Sequence, residues 1–334
     1  MRHKFKLALL LSAPAFAQPF AYVANQLSGT VTVINTATNQ VAATVAVPGL
    51  QPISVAVTPD GARAFIVNAS SNSISVLNTA NNTFLANIGT GSQPVAAAVS
   101  PNGARVYVAN SQAATLSTIS ATTNVTLAPQ APVGFTPYAL AVRPDNSRIY
   151  VANAADRSVT VVNAVQLLAE TSIRVGGTPL GIAINREGAA AWVANAGGRS
   201  LSRIDLETNE VTGAIPLAHV PVAIVLNPGG TRAYVTSFGS AAVSVVDLQA
   251  GAVAGTIDLP HCTGYQCASF GAALTADGRM LYVTEASARL VHAINTETGQ
   301  VVASIDVGMA PRGIAMGPPP RPAPSGASPE EEVQ

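Results

Sequence analysis

Apolar and polar positions in this chain follow one short pattern that returns seven times. A stretch of apolar residues ending in a small polar one reads AYVAN (21–25), AFIVN (64–68), VYVAN (106–110), IYVAN (149–153), AWVAN (191–195), AYVTS (233–237) and LYVTE (281–285). Its aromatic residues are Tyr22, Phe65, Tyr107, Tyr150, Trp192, Tyr234 and Tyr282, at spacings of 43, 42, 43, 42, 42 and 48. A period of about 40–45 residues with four strand signals per unit marks the blades of a propeller.

Each unit divides in the same way. First comes a strand such as PISVAV (52–57), PVAAAV (94–99) or PYALAV (137–142), then a turn such as TPDGAR (58–63) or SPNGAR (100–105). Proline presets φ and glycine accepts a positive φ, so Pro-Asp-Gly is strong turn chemistry. The YVAN-type strand follows. After a short loop comes an alternating strand such as TVTVIN (30–35) or SVTVVN (158–163), and the unit ends in one such as QVAATVAV (40–47). Period-2 alternation with β-branched residues predicts strand throughout.

Small residues order the strands. One register of the first strand carries Ser54, Ala96, Ala139, Gly181, Ala223, Gly271 and Gly313, and two residues on come Ala56, Ala98, Ala141, Ala183, Val225, Ala273 and Ala315. Positions i and i+2 share a face. A face held small in every repeat is crowded, which places this strand innermost and the QVAATVAV type outermost. The chain enters the pattern on a second strand, AYVAN, while the seventh innermost strand, PRGIAM (311–316), comes last. The expected fold is therefore all-β: a seven-bladed β-propeller of four-stranded antiparallel blades, the first blade closed by the C-terminal strand. Closure leaves few open edges.

The YVAN strands, together with the V/I-G-x-x-P lead-in to the next unit (GFTP 134–137, GGTP 176–179, GMAP 308–311), resemble the YVTN family of propeller repeats over residues 21–316. Such repeats occur in bacterial periplasmic proteins, archaeal surface-layer proteins and quinoprotein dehydrogenase propellers. They are also similar to lactonase-type propellers and to the haem-bearing propeller of some nitrite reductases. A propeller hosts many functions, so function has to be argued from a site.

Outside the repeat, residues 2–6 (RHKFK), 7–13 (LALLLSA) and Ala15-Phe16-Ala17 read as the three parts of a secretory signal, residues 1–17, with export to the periplasm or beyond. The propeller is expected over 18–317. The Pro-rich, acidic segment 318–334 is expected to be a disordered tail. Only 10% of residues are charged. From Gln18 onward 14 arginines face 17 acids, a net charge of 14 − 17 = −3. That is not the footprint of a duplex nucleic-acid binder. Single-stranded binding needs a basic groove with stacking aromatics, and aromatics are only 5%. Both lysines lie in the signal, so the mature chain offers no lysine nucleophile. No later segment is apolar enough to span a membrane. Cys262 and Cys267 are expected to form a disulfide that staples an inserted loop. The ring it closes is small, and its chain-entropy contribution is about 2 kcal/mol.

Candidate chemistry gathers in the loops that lead into the innermost strands and in those after the YVAN-type strands, since in a propeller both sets meet around one mouth of the channel. The first set carries Gln51, Gln93, Thr136, Thr178, His219 and the insertion with His261, Cys262 and Cys267. The second carries Arg157, Arg199 and Arg289, all at one register. Arg312, Tyr138 and Phe270 stand at the same register of three inner strands and point toward that mouth. Arginine suits carboxylate and phosphate, so an anion-binding rim is one reading. The other is solvated surface arginines, paired with acids such as Asp156. His219 and His261 lack a third metal ligand. His292 reads as structural, the strand-ending asparagines as bonded to the following loop, and Asp60, Asp145 and Asp277 as turn residues on the opposite face. No nucleophile elbow, phosphate loop or C-x-x-C-H haem motif occurs, so no metal or cofactor is expected. Mouth acids are few, apart from Asp156 and Glu285. The expectation is a monomeric, non-enzymatic binding or scaffold propeller that presents its mouth to a protein, glycan or small anion. A lactonase-like hydrolase or a quinoprotein-dehydrogenase-like component is the first alternative, and single-stranded nucleic-acid binding is the second.

Overall fold

The computed structural model describes residues 19–260 and 268–317. The segment read as a signal, the C-terminal tail, and His261, Cys262 and Cys267 lie outside the described residues. Within them the chain forms strands β1 to β28, arranged as seven four-stranded antiparallel sheets. The chain is a seven-bladed, all-β propeller. No helix of the described residues is long and apolar enough to cross a membrane.

The innermost strands are β4 (Pro52–Val57), β8 (Pro94–Val99), β12 (Pro137–Val142), β16 (Pro179–Ile184), β20 (Val220–Leu226), β24 (Ser269–Leu274) and β28 (Pro311–Gly317). Blade 1 joins the two ends of the ring. Its order is β28, β1 (Phe20–Asn25), β2 (Thr30–Asn35) and β3 (Gln40–Ala46). Tyr22 lies opposite Ala315, and Val23 opposite Ile314.

Burial explains the differing strand patterns. The YVAN-type strands sit second in each sheet, with a neighbouring blade on either face. They read as unbroken apolar runs because no face meets water; β1 is buried from Ala21 to Asn25. The outer strands face solvent, and β15 (Leu168–Arg174) is exposed except at Ile173. All seven repeat aromatics are buried. Two of them bond across blades: the Tyr150 hydroxyl donates to Asn209 Oδ1 at 3.1 Å, and the Tyr282 hydroxyl to the Thr36 carbonyl at 3.0 Å. The second bond ties blade 7 to blade 1 across the closure. Burial pushes the Tyr282 phenol up to about 12.

The crowding inferred from the small residues is contact between neighbouring inner strands. A Cβ on Gly181 would lie 2.6 Å from the Val222 carbonyl oxygen, and one on Gly313 would lie 2.7 Å from Ser54 Cα. A Cβ on Gly271 would run into the Arg312 carbonyl oxygen. Backbone thus meets backbone around the axis, and side chains one register earlier are left to face the channel.

Candidate functional site at the channel

One register position of every inner strand, the residue after the lead-in proline or its equivalent, reaches the axis. Ile53, Val95, Tyr138, Leu180, Val222, Phe270 and Arg312 form a ring around a cavity of about 450 Å³. Gln26, Gln51 and Gln93 add amide groups to its wall. Among the described residues the lining contains no Asp, Glu, His or Cys, and Arg312 is its one charged residue. The ring is uneven: the polar groups come from blades 1 to 4, whereas Leu180, Val222 and Phe270 of blades 5 to 7 make an apolar arc.

Arg312 is held on two sides. Its Cζ lies 3.7 Å from the centroid of the Phe270 ring, a cation–π stack. Its Nε–H donates to Gln26 Oε1 at 2.8 Å. Phe270 is itself braced by Phe238, whose ring centroid is 6.3 Å away at an interplanar angle of 59°. No carboxylate pairs with the guanidinium among the described residues. Desolvation lowers the affinity of Arg312 for its proton, and the field of Tyr138 works in the opposite direction. A cation is therefore fixed in the wall of a space of mixed polar and apolar surface, and its Nη1/Nη2 edge makes no side-chain bond among the described residues.

The rim owes its geometry to a repeated turn. Gln51, Gln93, Thr136, Thr178 and Ala310 precede a proline with φ of 55°, 52°, 54°, 52° and 52°. Left-handed backbone is unfavourable for such residues, above all for β-branched threonine. Recurring hydrogen bonds to the next hairpin hold it: the Ser111 N–H donates to the Gln93 carbonyl at 2.8 Å, and Ala154 to Thr136 at 2.9 Å. This turn also explains the repeat glycine. A Cβ on Gly91, Gly176 or Gly308 would lie 2.7 Å from the amide of Asn110, Asn195 or Asn25. The strand-ending asparagines bond elsewhere than the loop expected from sequence. Asn25 donates to Thr32 Oγ1 at 2.8 Å and Asn110 to Ser117 Oγ at 2.9 Å, both on the adjacent third strand. The lead-in loop merely packs over them.

Of the residues singled out by sequence, Gln51, Gln93, Tyr138, Phe270 and Arg312 are brought together in the cavity wall, and Thr136 and Thr178 are not part of it. Arg157, Arg199 and Arg289 are exposed on three separate hairpins and line no part of the cavity. They occupy left-handed positions, with φ of 53°, 42° and 60°. Asp156 pairs with none of them; its Oδ2 accepts the Phe135 backbone N–H at 2.6 Å. His219 is half-buried in the lead-in to β20 and is not part of the cavity. Asp60, Asp145 and Asp277 accept turn N–H groups from Ala62, Ser147 and Arg279, as turn residues should.

Glu285 is no mouth acid. It ends β25 (Met280–Glu285) at 1% exposure, and its Oε2 lies 2.6 Å from Nε2 of the fully buried His292 on β26 (Leu290–Asn295). The His292 Nδ1 is 3.0 Å from Ser304 Oγ. Glu285 stands where five repeats carry asparagine, and His292 where other repeats carry Thr32, Ser75, Ser117, Thr160, Ser202 or Ser244. This paired departure was legible in the aligned repeats. Gln26 carried no such signal, because only closure of the ring sets it beside Arg312.

The arrangement is a propeller with a ligand-sized channel cavity that, among the described residues, carries one cation and no acid–base pair. Among the described residues, no group of three or more His, Cys, Asp or Glu is placed to hold a metal. No protein-family model and no curated protein matches the chain. Solved structures do. Hydrazine synthase of Kuenenia stuttgartiensis is 20% identical with a TM-score of 0.73, over 79% of this chain and 89% of that one. A functionally unknown protein from Desulfotomaculum acetoxidans is 16% identical with a TM-score of 0.80, over 90% and 99%. Dihydro-heme d1 dehydrogenase NirN, solved in complex with DHE, is 15% identical with a TM-score of 0.66, over 92% and 78%. At these identities the likeness is one of fold.

Proposed function

We propose that this chain is an exported, non-enzymatic binding propeller of the YVTN-repeat type whose channel cavity holds a small molecule. The observation that carries this is the wall of the cavity. It combines a large apolar surface with a few convergent polar groups, Arg312, Tyr138 and three glutamines, which is the usual make-up of a small-molecule site. Among the described residues the wall presents none of the carboxylates, imidazoles and thiols that hydrolysis or redox chemistry would require, and this supports a reading of binding. Export is supported by the three-part pattern of residues 1–17.

The test is native mass spectrometry of protein purified under gentle conditions, wild type beside Leu180→Trp. Leu180 shares its register with Tyr138 and Phe270, so the ring already accommodates bulky aromatics there. The wild type is expected to carry a bound small molecule that the filled variant lacks. Identical adduct spectra from two folded proteins would refute the cavity as the site.

A further inference from the structure

The uneven wall of the cavity points to a ligand class, an inference that rests on the cavity being the binding site as proposed above. We infer that the channel takes a monocarboxylate with an apolar body. The carboxylate lies end-on against Arg312, and the body packs on Leu180, Val222 and Phe270.

The argument begins with what Arg312 already uses. A guanidinium has five N–H donors in a fixed fork and cannot be deprotonated in a protein. One face lies on Phe270, and Nε is taken by Gln26. The remaining edge carries both terminal nitrogens, and two parallel N–H donors match the two oxygens of a carboxylate. Because the stack and the glutamine fix the plane of the fork, little side-chain freedom is lost when an anion docks. Loss of such freedom ordinarily opposes binding.

Charge number selects among anions. Among the described residues Arg312 is the sole charged side chain of the wall, and Gln26, Gln51 and Gln93 are neutral. A dianion such as a phosphate monoester would leave one charge uncompensated beside Leu180, Val222 and Phe270, and burying an unpaired charge is strongly unfavourable. A single negative charge is matched one to one. The ligand must also be amphipathic. The amides and Tyr138 lie on one arc of the wall, and among the described residues the side chains of the other arc, Leu180, Val222 and Phe270, offer aliphatic and aromatic carbon. A body lying against that arc gains from apolar burial in proportion to the area covered. The cavity volume of about 450 Å³ suits a molecule of that description.

Calorimetry with matched probes tests this. Phenylacetate, 4-phenylbutyrate and 6-phenylhexanoate, each beside its primary amide, are titrated into full-length mature protein, Arg312→Gln and Leu180→Trp. Circular dichroism melts verify that each variant is folded. The wild type is expected to prefer at least one acid over its amide by about tenfold or more, as a hydrogen-bonded charge implies. Arg312→Gln should abolish that preference and leave amide affinity within about twofold. Leu180→Trp should weaken both. Equal affinity for acid and amide in the wild type, with both lost in Leu180→Trp, overturns the carboxylate assignment and leaves the cavity as the site. A preference that survives in Arg312→Gln overturns it too. Binding of neither series counts against the ligand class, while the co-purification comparison of wild type and Leu180→Trp judges the site separately.

Discussion

Replacing both Glu285 and His292 by the residues of the other repeats, Glu285→Asn with His292→Thr, should cost far less than the single changes predict. The pair is buried at 1% and 0% exposure and joined at 2.6 Å. His292→Thr alone leaves Glu285 without its partner, and its other oxygen, Oε1, already has none among the described residues. Breaking a buried pair from one side costs about 3–5 kcal/mol. Glu285→Asn alone leaves His292 bonded to Ser304 but strips Nε2 of its acceptor. That is a loss of about 1–3 kcal/mol. The double variant can form the bond that joins Asn25 to Thr32 at 2.8 Å. Its remaining cost is the volume lost from histidine to threonine, on the order of 40 Å³, or about 1 kcal/mol at 24 cal/mol per Å³ of cavity. The coupling is then about 3 kcal/mol or more, at the upper end for interacting neighbours. A kcal/mol shifts the melting temperature of a domain this large by roughly 2 °C. Melts of the four proteins should therefore show drops of about 6–10 °C, 2–6 °C and 2 °C for the histidine, glutamate and double variants. Additive drops, or a double variant less stable than either single one, would refute the view that this pair is a swapped version of the Asn–Thr bond.

Three further outcomes follow from the packing. Gly271→Ala should destabilise by about 1–3 kcal/mol, since its Cβ meets the Arg312 carbonyl across the closure; Gly213→Ala, with nothing within 4 Å, should stay within about 0.5 kcal/mol in the same denaturant titration. Gly91→Ala should destabilise because its Cβ meets the Asn110 amide. Asn110→Ala should cost about 1–2 kcal/mol through its bonds to Thr115 and Ser117, and equilibrium unfolding should find the two changes less than additive. Burial raises the phenols of Tyr22 and Tyr282 from 10.0 to about 12, so the folded state favours their neutral form. That stability is fully present below pH 10 and is lost as pH rises toward about 12; alkaline unfolding followed by circular dichroism should move to higher pH in Tyr22→Phe with Tyr282→Phe, and an unchanged midpoint would count against it.

The candidate site was only partly legible. Tyr138, Phe270 and Arg312 were marked by register alone, because a residue's place in a repeated strand sets the direction it faces. Gln26 was not, since it belongs to the first hairpin and meets Arg312 across 286 positions of sequence. Arg157, Arg199 and Arg289 looked alike by register, yet their hairpins hold them exposed and outside the cavity wall. Glu285 read as a loop acid because its burial depends on the strands packed around it.

The sequence by itself determined the ring. Strand period, turn chemistry and small inner residues are local or repeat at a fixed interval, so each unit specifies its own blade, and counting the units specifies seven. Tertiary structure alone decided what the ring encloses. The cavity wall draws residues from all seven inner strands, and its polar and apolar arcs arise only when these distant segments converge on an axis. That Arg312 has no carboxylate partner among the described residues is a property of that convergence, because whether a cation has a partner depends on its neighbours in space and not on its neighbours in the chain.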